Sequence, residues 1–327
     1  MHKDKKINIC QISLARDIPI ILENYKSFKK FYTLFEITII CPQKEILEFE
    51  EKLHFKEFNI IDEEKIISFE KFNDIFEELS NNIDYQNLFR KRLNWYYQQI
   101  LKLSYVLNFI KKKKENIIIW DADTVILKKI NFFKNEYSIK YGTLFEFHKP
   151  YYVTSKSITG DYPKYFISSL IQFTSLSVSE YNFFINKILD FDIFETKEII
   201  SIQLSKIILK NIFNIHKTYN GSLFSEYELI GISNYVFRKT KQKALFTLRR
   251  DLDGKLSNSQ AFIAKFFNVK HVTYEHTYSN KNSQGMLGRK QRWIQFLKIL
   301  FKEFVKFNLR NLRHNFNYYY KYLLNKH

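Results

Sequence analysis

This sequence predicts an α/β fold, on three observations. The N-terminal stretch alternates patterns: Ile7 to Leu14 reads as a strand, Leu22 to Phe35 has helical spacing, and Glu36 to Cys41 reads as a second strand stopped by Pro42, which is the grammar of a βαβ unit. The run Ile117-Ile118-Ile119-Trp120, extending to Leu127, is too short for a helix and follows the polar, basic Lys111 to Asn116; it reads as a buried strand emerging at a sheet edge. Between them, a helix from about residue 89 to 110 carries Trp95, Ile100, Leu103, Leu107 and Ile110 on its inner side and delivers the chain to that strand.

The remaining elements follow in order. Gln43 to Leu53 is expected as helix and Phe58 to Asp62 as strand. Leu144 to Phe147 reads as a strand running into a polar aromatic loop, His148-Lys149-Pro150-Tyr151-Tyr152. Tyr165 to Phe173 is apolar with small hydroxyls, and Glu180 to Leu189 is helical. Ser225 can cap a helix whose first turn holds Glu226 and Glu228, where acids complement the helix dipole. A strand near Val269 to Tyr274 ends this part, and Ser279 to Gly288 reads as a linker, so the expected division is a catalytic domain over 1–284 and a tail over 285–327. Only 7 glycines and 4 prolines occur in 327 residues, so turn punctuation is sparse. Cys10 and Cys41 each close an apolar run and are expected as buried free thiols in a reducing cytoplasm. The basic N-terminus leads into a strand too short for a signal peptide, and no apolar run reaches the roughly 20 residues a spanning helix needs.

Two carboxylates stand where the buried run emerges, Asp121 and Asp123. Alternation along an extended chain would point them to one side, with Ala122 turned away. Adjacent carboxylates repel unless a cation or proton lies between them, and a hard divalent ion with oxygen ligands, Mg²⁺ or Mn²⁺, answers both. Such an ion keeps positions open for phosphate oxygens, which suggests a diphosphate substrate.

Four motifs in order, Asn94-Trp95-Tyr96-Tyr97-Gln98-Gln99-Ile100-Leu101-Lys102, Ile119-Trp120-Asp121-Ala122-Asp123-Thr124, His148-Lys149-Pro150-Tyr151 and Phe224-Ser225-Glu226-Tyr227-Glu228, resemble a group of bacterial DxD-type sugar transferases similar to GT-A glycosyltransferases and found with surface-polysaccharide genes. The resemblance covers roughly residues 7–275. It implies a GT-A-like Rossmann-type sandwich with a mixed central sheet, a nucleotide-sugar donor with a UDP-sugar as the first expectation, a capsule or lipooligosaccharide acceptor that is free or lipid-linked, and a metal on Asp121 and Asp123. It departs at Phe166 to Gln172, where the group would carry a histidine.

Glycosyl transfer builds charge on the leaving diphosphate, and an inverting enzyme also needs a group to take the acceptor proton. The candidates are Glu226, Glu228 and His148, each also readable as a structural residue. Ser13, Arg16 and Asp17, at the loop after the first strand, are expected to meet ribose or base, and Gln99, Lys102, Trp120 and Asp121 complete the expected donor contacts. His271 and His276 flank Glu275 and are weaker candidates for a metal; Arg249 to Gly254 offers a second Asp-x-Asp, more simply an exposed turn. Asp121-Ala122-Asp123-Thr124-Val125 also fits a haloacid-dehalogenase phosphatase, but the later paired acids of that mechanism are absent, since Gly160-Asp161 is followed by Tyr165. A sugar nucleotidyltransferase is the other alternative; its glycine-rich loop is missing from Ser13 to Pro19.

The net charge is +18, and residues 285–327 hold ten Lys or Arg against Glu303 alone. Trp293, Leu297, Leu300, Phe304 and Val305 repeat at helical spacing beside Lys298, Lys302, Lys306 and Arg310, the composition of a basic amphipathic helix on an anionic membrane surface over 289–313. No nucleic-acid module is visible. The expected location is therefore peripheral, at the inner face of the cytoplasmic membrane.

Overall fold

The computed structural model describes residues 6–80, 89–144, 147–160, 167–186, 197–216, 221–238, 242–249, 255–274 and 289–324. Asp161, Tyr165, Phe166, Arg250 to Gly254, Glu275, His276 and the expected linker at 279–288 lie outside the described residues.

The first βαβ unit is β1 (Ile7–Ile12), α1 (Ile18–Phe31) and β2 (Phe35–Cys41), followed by α2 (Ile46–Lys52), β3 (Phe58–Asp62) and α3 (Phe69–Leu79). Pro19 sits in the first turn of α1, where its missing N–H costs nothing. Ser68 caps α3 by accepting from Lys71 N at 3.1 Å. The long helix α4 (Leu93–Lys113) ends on Lys114 in the left-handed region, φ 55°, and leads into β4 (Ile117–Trp120). Strand order in the main sheet is β3-β2-β1-β4-β9, with β9 at Phe173–Leu176. The first four strands are parallel, in register from Ile7 opposite Phe35 and from Asn8 opposite Ile117, and β9 runs antiparallel with Trp120 opposite Phe173. The mixed central sheet that the resemblance implies is present.

All four β4 residues are buried because the strand has a covered face on each side. Ile117 and Ile119 pack into a core with α3, α4 and α7 (Lys197–Ile215), whereas Ile118 and Trp120 join the aromatic layer under α1. Cys10 and Cys41 are buried free thiols.

Three local expectations change. The strand does not continue through the acids: Thr124 N donates to Asp121 O at 3.1 Å, closing a turn, and β5 (Thr124–Ile126) belongs to a separate sheet, beside β12 (His271–Thr273) and then β11 (Leu248–Arg249). After the short β6 (Phe133–Lys134), β7 (Tyr137–Ser138) and β8 (Tyr141–Gly142), the aromatic loop is a helix, α5 (Lys149–Thr159), which Pro150 starts from its first turn and Gly160 ends at φ 72°. The helix expected from Glu180 begins at Val178 as α6 (Val178–Phe184).

Beyond α7 the chain forms α8 (Glu226–Arg238), β10 (Lys243–Ala244), β11 (Leu248–Arg249), α9 (Asn258–Phe266), β12 (His271–Thr273) and α10 (Arg289–Leu324). A third core lies between β5, β11, β12 and the two helices α9 and α10, with Phe296 and Leu300 buried and Trp293, Leu297 and Phe304 packed against it. The apolar face that the sequence assigns to a membrane is therefore largely spent on the protein, because the small second sheet needs a cover on that side.

Candidate functional site

Chain order places β1, β2 and β3 successively to one side and then returns to β4 on the other side of β1. Ligands of open α/β sheets collect at such a switch, outside the carboxyl ends of the strands. A cleft of about 1010 Å³ opens there, at the upper end of the ~300–1000 Å³ range usual for ligand pockets. Ile12, Ser13, Leu14, Arg16, Asp17, Pro42 and Glu63 line it from the ends of β1 to β3, and Asp121, Ala122 and Asp123 from the end of β4.

All four ordered motifs reach this cleft. Trp95, Gln98, Gln99 and Lys102 all line it, and their i, i+3, i+4, i+7 spacing is one stripe of α4. His148 and Tyr151 come from the start of α5, with ring centroids 4.2 Å apart, and Ser225, Glu226 and Tyr227 from the start of α8.

At the centre Lys102 is a buried cation between two acids. Its Nζ donates to Asp121 Oδ1 and to Glu226 Oε1, both at 2.8 Å, and lies 4.9 Å from the Tyr227 ring centroid. Tyr227 OH donates to the same Asp121 Oδ1 at 2.5 Å. Burial would lower the Lys102 ammonium, but the Asp121 and Glu226 carboxylates outweigh it and hold it above its ordinary range. One ammonium facing two carboxylates leaves one negative charge in excess. Glu226 is wholly buried, and burial, with help from Asp121 and against Lys102, pushes its carboxyl up. Tyr227 is pushed well above its ordinary range, by burial first and then by Asp121.

The turn keeps Asp121 and Asp123 on one cleft although the chain is not extended there; Ala122, expected to turn away, also lines the cleft while packing against the core. Among the described residues the hydrogen bonds to the Asp121 side chain, from Lys102 and Tyr227, fall on Oδ1, so Oδ2 can take a cation. Asp123 Oδ1 accepts from Thr124 Oγ1 at 3.2 Å, and its carbonyl accepts from Tyr274 N at 3.0 Å. Among the described residues no group of three His, Cys, Asp or Glu forms a metal cluster. Two carboxylates with substrate oxygens are nevertheless a donor set that Mg²⁺ or Mn²⁺ accepts, as a substrate-bridged ion rather than an all-protein cage.

Several expected residues stand elsewhere. Trp120 is wholly buried, stacked on Phe173 at 5.0 Å with Nε1 donating to Thr124 O, and does not line the cleft. It supports the turn from below. Glu228 is likewise buried away from the lining: Ser168 Oγ donates to it, as does Ser169 N at 3.1 Å, and burial raises its carboxyl to about 7 against those two bonds. His271 packs in the core, 6.0 Å from the Trp120 ring and 5.6 Å from Phe173, and does not line the cleft. His148 lines the cleft and its Nε2 meets Ser222 O at 2.8 Å. Ser13 lines the cleft, is buried, and its hydroxyl has no hydrogen-bond partner among the described residues. Asp17 accepts from Leu14 N at 3.2 Å, and burial raises its carboxyl.

Residues that sequence reasoning passed over also line the cleft: Tyr227, Glu63, Arg92, Gln172 and Tyr274. Tyr227 carried a signal, since it stands between the two acids singled out in its motif. Glu63, raised to about 7 by burial and then by Glu64, Asp62 and Glu45, carried none.

A family model described as a family of unknown function (DUF6492) matches residues 14–158. A search of curated proteins finds no match. Among solved structures the chain is similar to the galactosyltransferase LgtC in complex with donor and acceptor sugar analogs, at 8% identity and TM-score 0.40, covering 90% of this chain and 96% of that one. It is also similar to mouse xyloside xylosyltransferase 1 in its apo form, at 9% identity and TM-score 0.41 over 84% and 99% of the two chains. A third is the apo glycosyltransferase GlyE of Streptococcus pneumoniae TIGR4, at 12% identity and TM-score 0.34 over 92% and 64%. Likeness at this level concerns general architecture, not chemistry.

Proposed function

We propose that the protein is a metal-dependent glycosyltransferase that moves a sugar from a nucleotide sugar, a UDP-sugar in the first instance, to a surface-glycan acceptor. The observation that carries this reading is that four motifs spread from Asn94 to Glu228 meet in one cleft around the Asp121–Lys102–Glu226 cluster. The cleft has two differently furnished ends. The β1–β3 end, with Ser13, Arg16 and Asp17, suits a nucleoside, and the Ser13 hydroxyl, which has no partner among the described residues, supports a ligand there. The end made by the starts of α4, α5 and α8 suits the acceptor.

Asp123 and Oδ2 of Asp121 are the groups that would hold Mg²⁺ or Mn²⁺. A bound ion would offset the charge that develops on the leaving diphosphate. Lys102 and Tyr227 fix the orientation of Asp121 through Oδ1. In the transfer the bond from the sugar's anomeric carbon to the diphosphate breaks and one to the acceptor oxygen forms. Glu226 is the group we assign to take the acceptor's proton, since it lines the cleft and burial pushes its carboxyl up. Glu228 holds Ser168 and Ser169 in place instead.

The same reading keeps 1–284 as the catalytic part and 285–327 as a basic segment for peripheral attachment at the inner face of the cytoplasmic membrane. No helix among the described residues is long and apolar enough to cross a membrane.

Nucleotide release, as UDP or GDP from UDP- and GDP-sugars and as CMP from CMP-sugars, measured with Mn²⁺ tests the chemistry. Release from at least one donor is expected, falling by about 10²-fold or more in Glu226→Gln and lost in Asp123→Ala. No release from any donor, or pyrophosphate release from a nucleoside triphosphate and a sugar phosphate, would shift the assignment to the nucleotidyltransferase alternative or away from both.

A further inference from the structure

Exposed large apolar side chains concentrate on two helices that are distant in sequence. Phe262 is 72% exposed and Phe266 80% on α9, while on α10 Phe301, Val305, Leu309 and Leu312 are 51%, 54%, 64% and 68% exposed. On α10 the core-facing residues are Phe296 and Leu300. At 3.6 residues per turn, Ile294, Phe301, Val305, Leu309 and Leu312 fall within an arc of about 80°, a second apolar stripe beside the buried one. The two helices share one surface: Phe267 contacts Phe266 at 5.7 Å, Phe301 at 5.3 Å and Phe304 at 5.0 Å between ring centroids. Monomeric proteins rarely leave such a contiguous patch uncovered without a use.

Cations surround it. Lys298, Lys302, Arg310 and Arg313 are exposed along α10. On the other side the ammonium groups of Lys265 and Lys270 are held down, by burial first and then by the neighbouring Lys30 and Lys128 respectively. Lys30 near the end of α1, Lys265 in α9, Lys128 after β5 and Lys270 just before β12 therefore form two neighbouring pairs of positive charge.

We propose that α9 and α10 together form the membrane-docking surface, with Phe262, Phe266 and Phe301 entering the headgroup region of an anionic bilayer and the lysines meeting its phosphates. This deepens the membrane part of the reading above and rests on none of its chemistry. An aromatic patch rimmed with Lys and Arg, in a chain of net charge +18, matches a negatively charged lipid surface better than an acidic protein groove, because bulky rings and basic side chains are the two components of interfacial binding. The placement also has a consequence for the site. Ile20 and Tyr274 belong to the same core layer as Phe296 and Leu300 and also line the cleft, so the docked surface lies one layer of packing from the acids, which suits a lipid-linked acceptor.

The test is flotation of the full chain with vesicles of phosphatidylglycerol and phosphatidylcholine and with phosphatidylcholine alone. We expect binding to the anionic vesicles only, reduced at least about tenfold by Phe262→Ser with Phe266→Ser, and separately by K298Q with K302Q. The first pair lies outside 289–313, so its loss of binding is not a property of an isolated basic tail. Unchanged flotation of that pair would overturn the composite surface, as would equal binding to neutral vesicles. A third overturning result is absence of vesicle binding together with a concentration-dependent dimer that the same pair abolishes, which would assign the patch to a second copy. Nucleotide-sugar hydrolysis without lipid, measured in parallel, is expected to be unaltered in these variants; if the unmutated chain shows none, the donor reading fails and the docking surface is judged by flotation alone.

Discussion

Lys102 is the residue on which the site turns: 7% exposed, it is the only ammonium within hydrogen-bond reach of Asp121 and Glu226 among the described residues. Removing one partner of a buried ion pair leaves the other uncompensated, which costs about 3–5 kcal/mol. Lys102→Met is therefore expected to lower unfolding free energy by that order in urea titration, and Lys102→Met with Glu226→Gln to recover a large part of it. An unchanged midpoint would mean that the cluster is not formed. Glu228 gives a pH signature. Its folded carboxyl, raised by burial to about 7 from 4.5, binds a proton that the unfolded chain has already released. Its contribution is fully present below about pH 4.5 and is lost as pH rises through about 7. Glu228→Gln should remove that loss, up to ~3 kcal/mol, so the variant gains on the natural chain between those pH values; parallel stability curves would contradict the burial of an ionisable group there.

At the scale of elements, α4 ends on Lys114 at φ 55°, an exposed side chain in a conformation that favours glycine. Lys114→Gly is expected to stabilise by about 0.5–1 kcal/mol in thermal unfolding, and a loss would show that the helix ends differently. The helix itself and β4 were legible from spacing, β4 because four apolar residues after a basic turn leave few other readings; Gln99 and Lys102 were named as donor contacts, but Trp95 was read as an inner-face residue and the cleft-lining stripe is seen only in the structure. Three features were not legible. The acids' turn was hidden because Thr124, Val125 and Ile126 resume an apolar run that looks continuous, while in fact they pair with a different sheet through Thr273 opposite Thr124. Helix α5 was hidden by its aromatic, proline-bearing start, although proline in a first turn is a start signal as well as a loop signal. Helix α7 was missed because Ile200, Leu204, Ile208 and Ile212 are buried together with Leu209 and Phe213, so apolar residues cover too much of the helix to show a stripe.

For the whole molecule, the α/β architecture followed from βαβ order and the site from two acids placed where a buried apolar run emerges; the strand switch between β1 and β4 is seen only in the structure. The role of the C-terminal helix did not follow from sequence. Its 3.6-residue apolar period was read as one membrane face, whereas it contains a buried stripe headed by Phe296 and Leu300 and an exposed one headed by Phe301 and Val305. Only the position of the small β11-β12-β5 sheet separates them. Cutting the chain after 284 should uncover Phe246, Val269 and Val272 and lower the melting temperature by several degrees or more; an unaltered melting temperature would mean the helix does not dock.

Donor capture at the acids is the claim everything else serves, and thermal stabilisation measures it without an acceptor. The natural chain and Asp123→Asn would be melted with and without Mn²⁺ in the presence of UDP-, GDP- and CMP-sugars. At least one nucleotide sugar should raise the melting temperature of the natural chain in a Mn²⁺-dependent way, and the rise should vanish in Asp123→Asn. If no nucleotide sugar stabilises the natural chain, or if Asp123→Asn is stabilised equally, the acids do not hold a sugar donor.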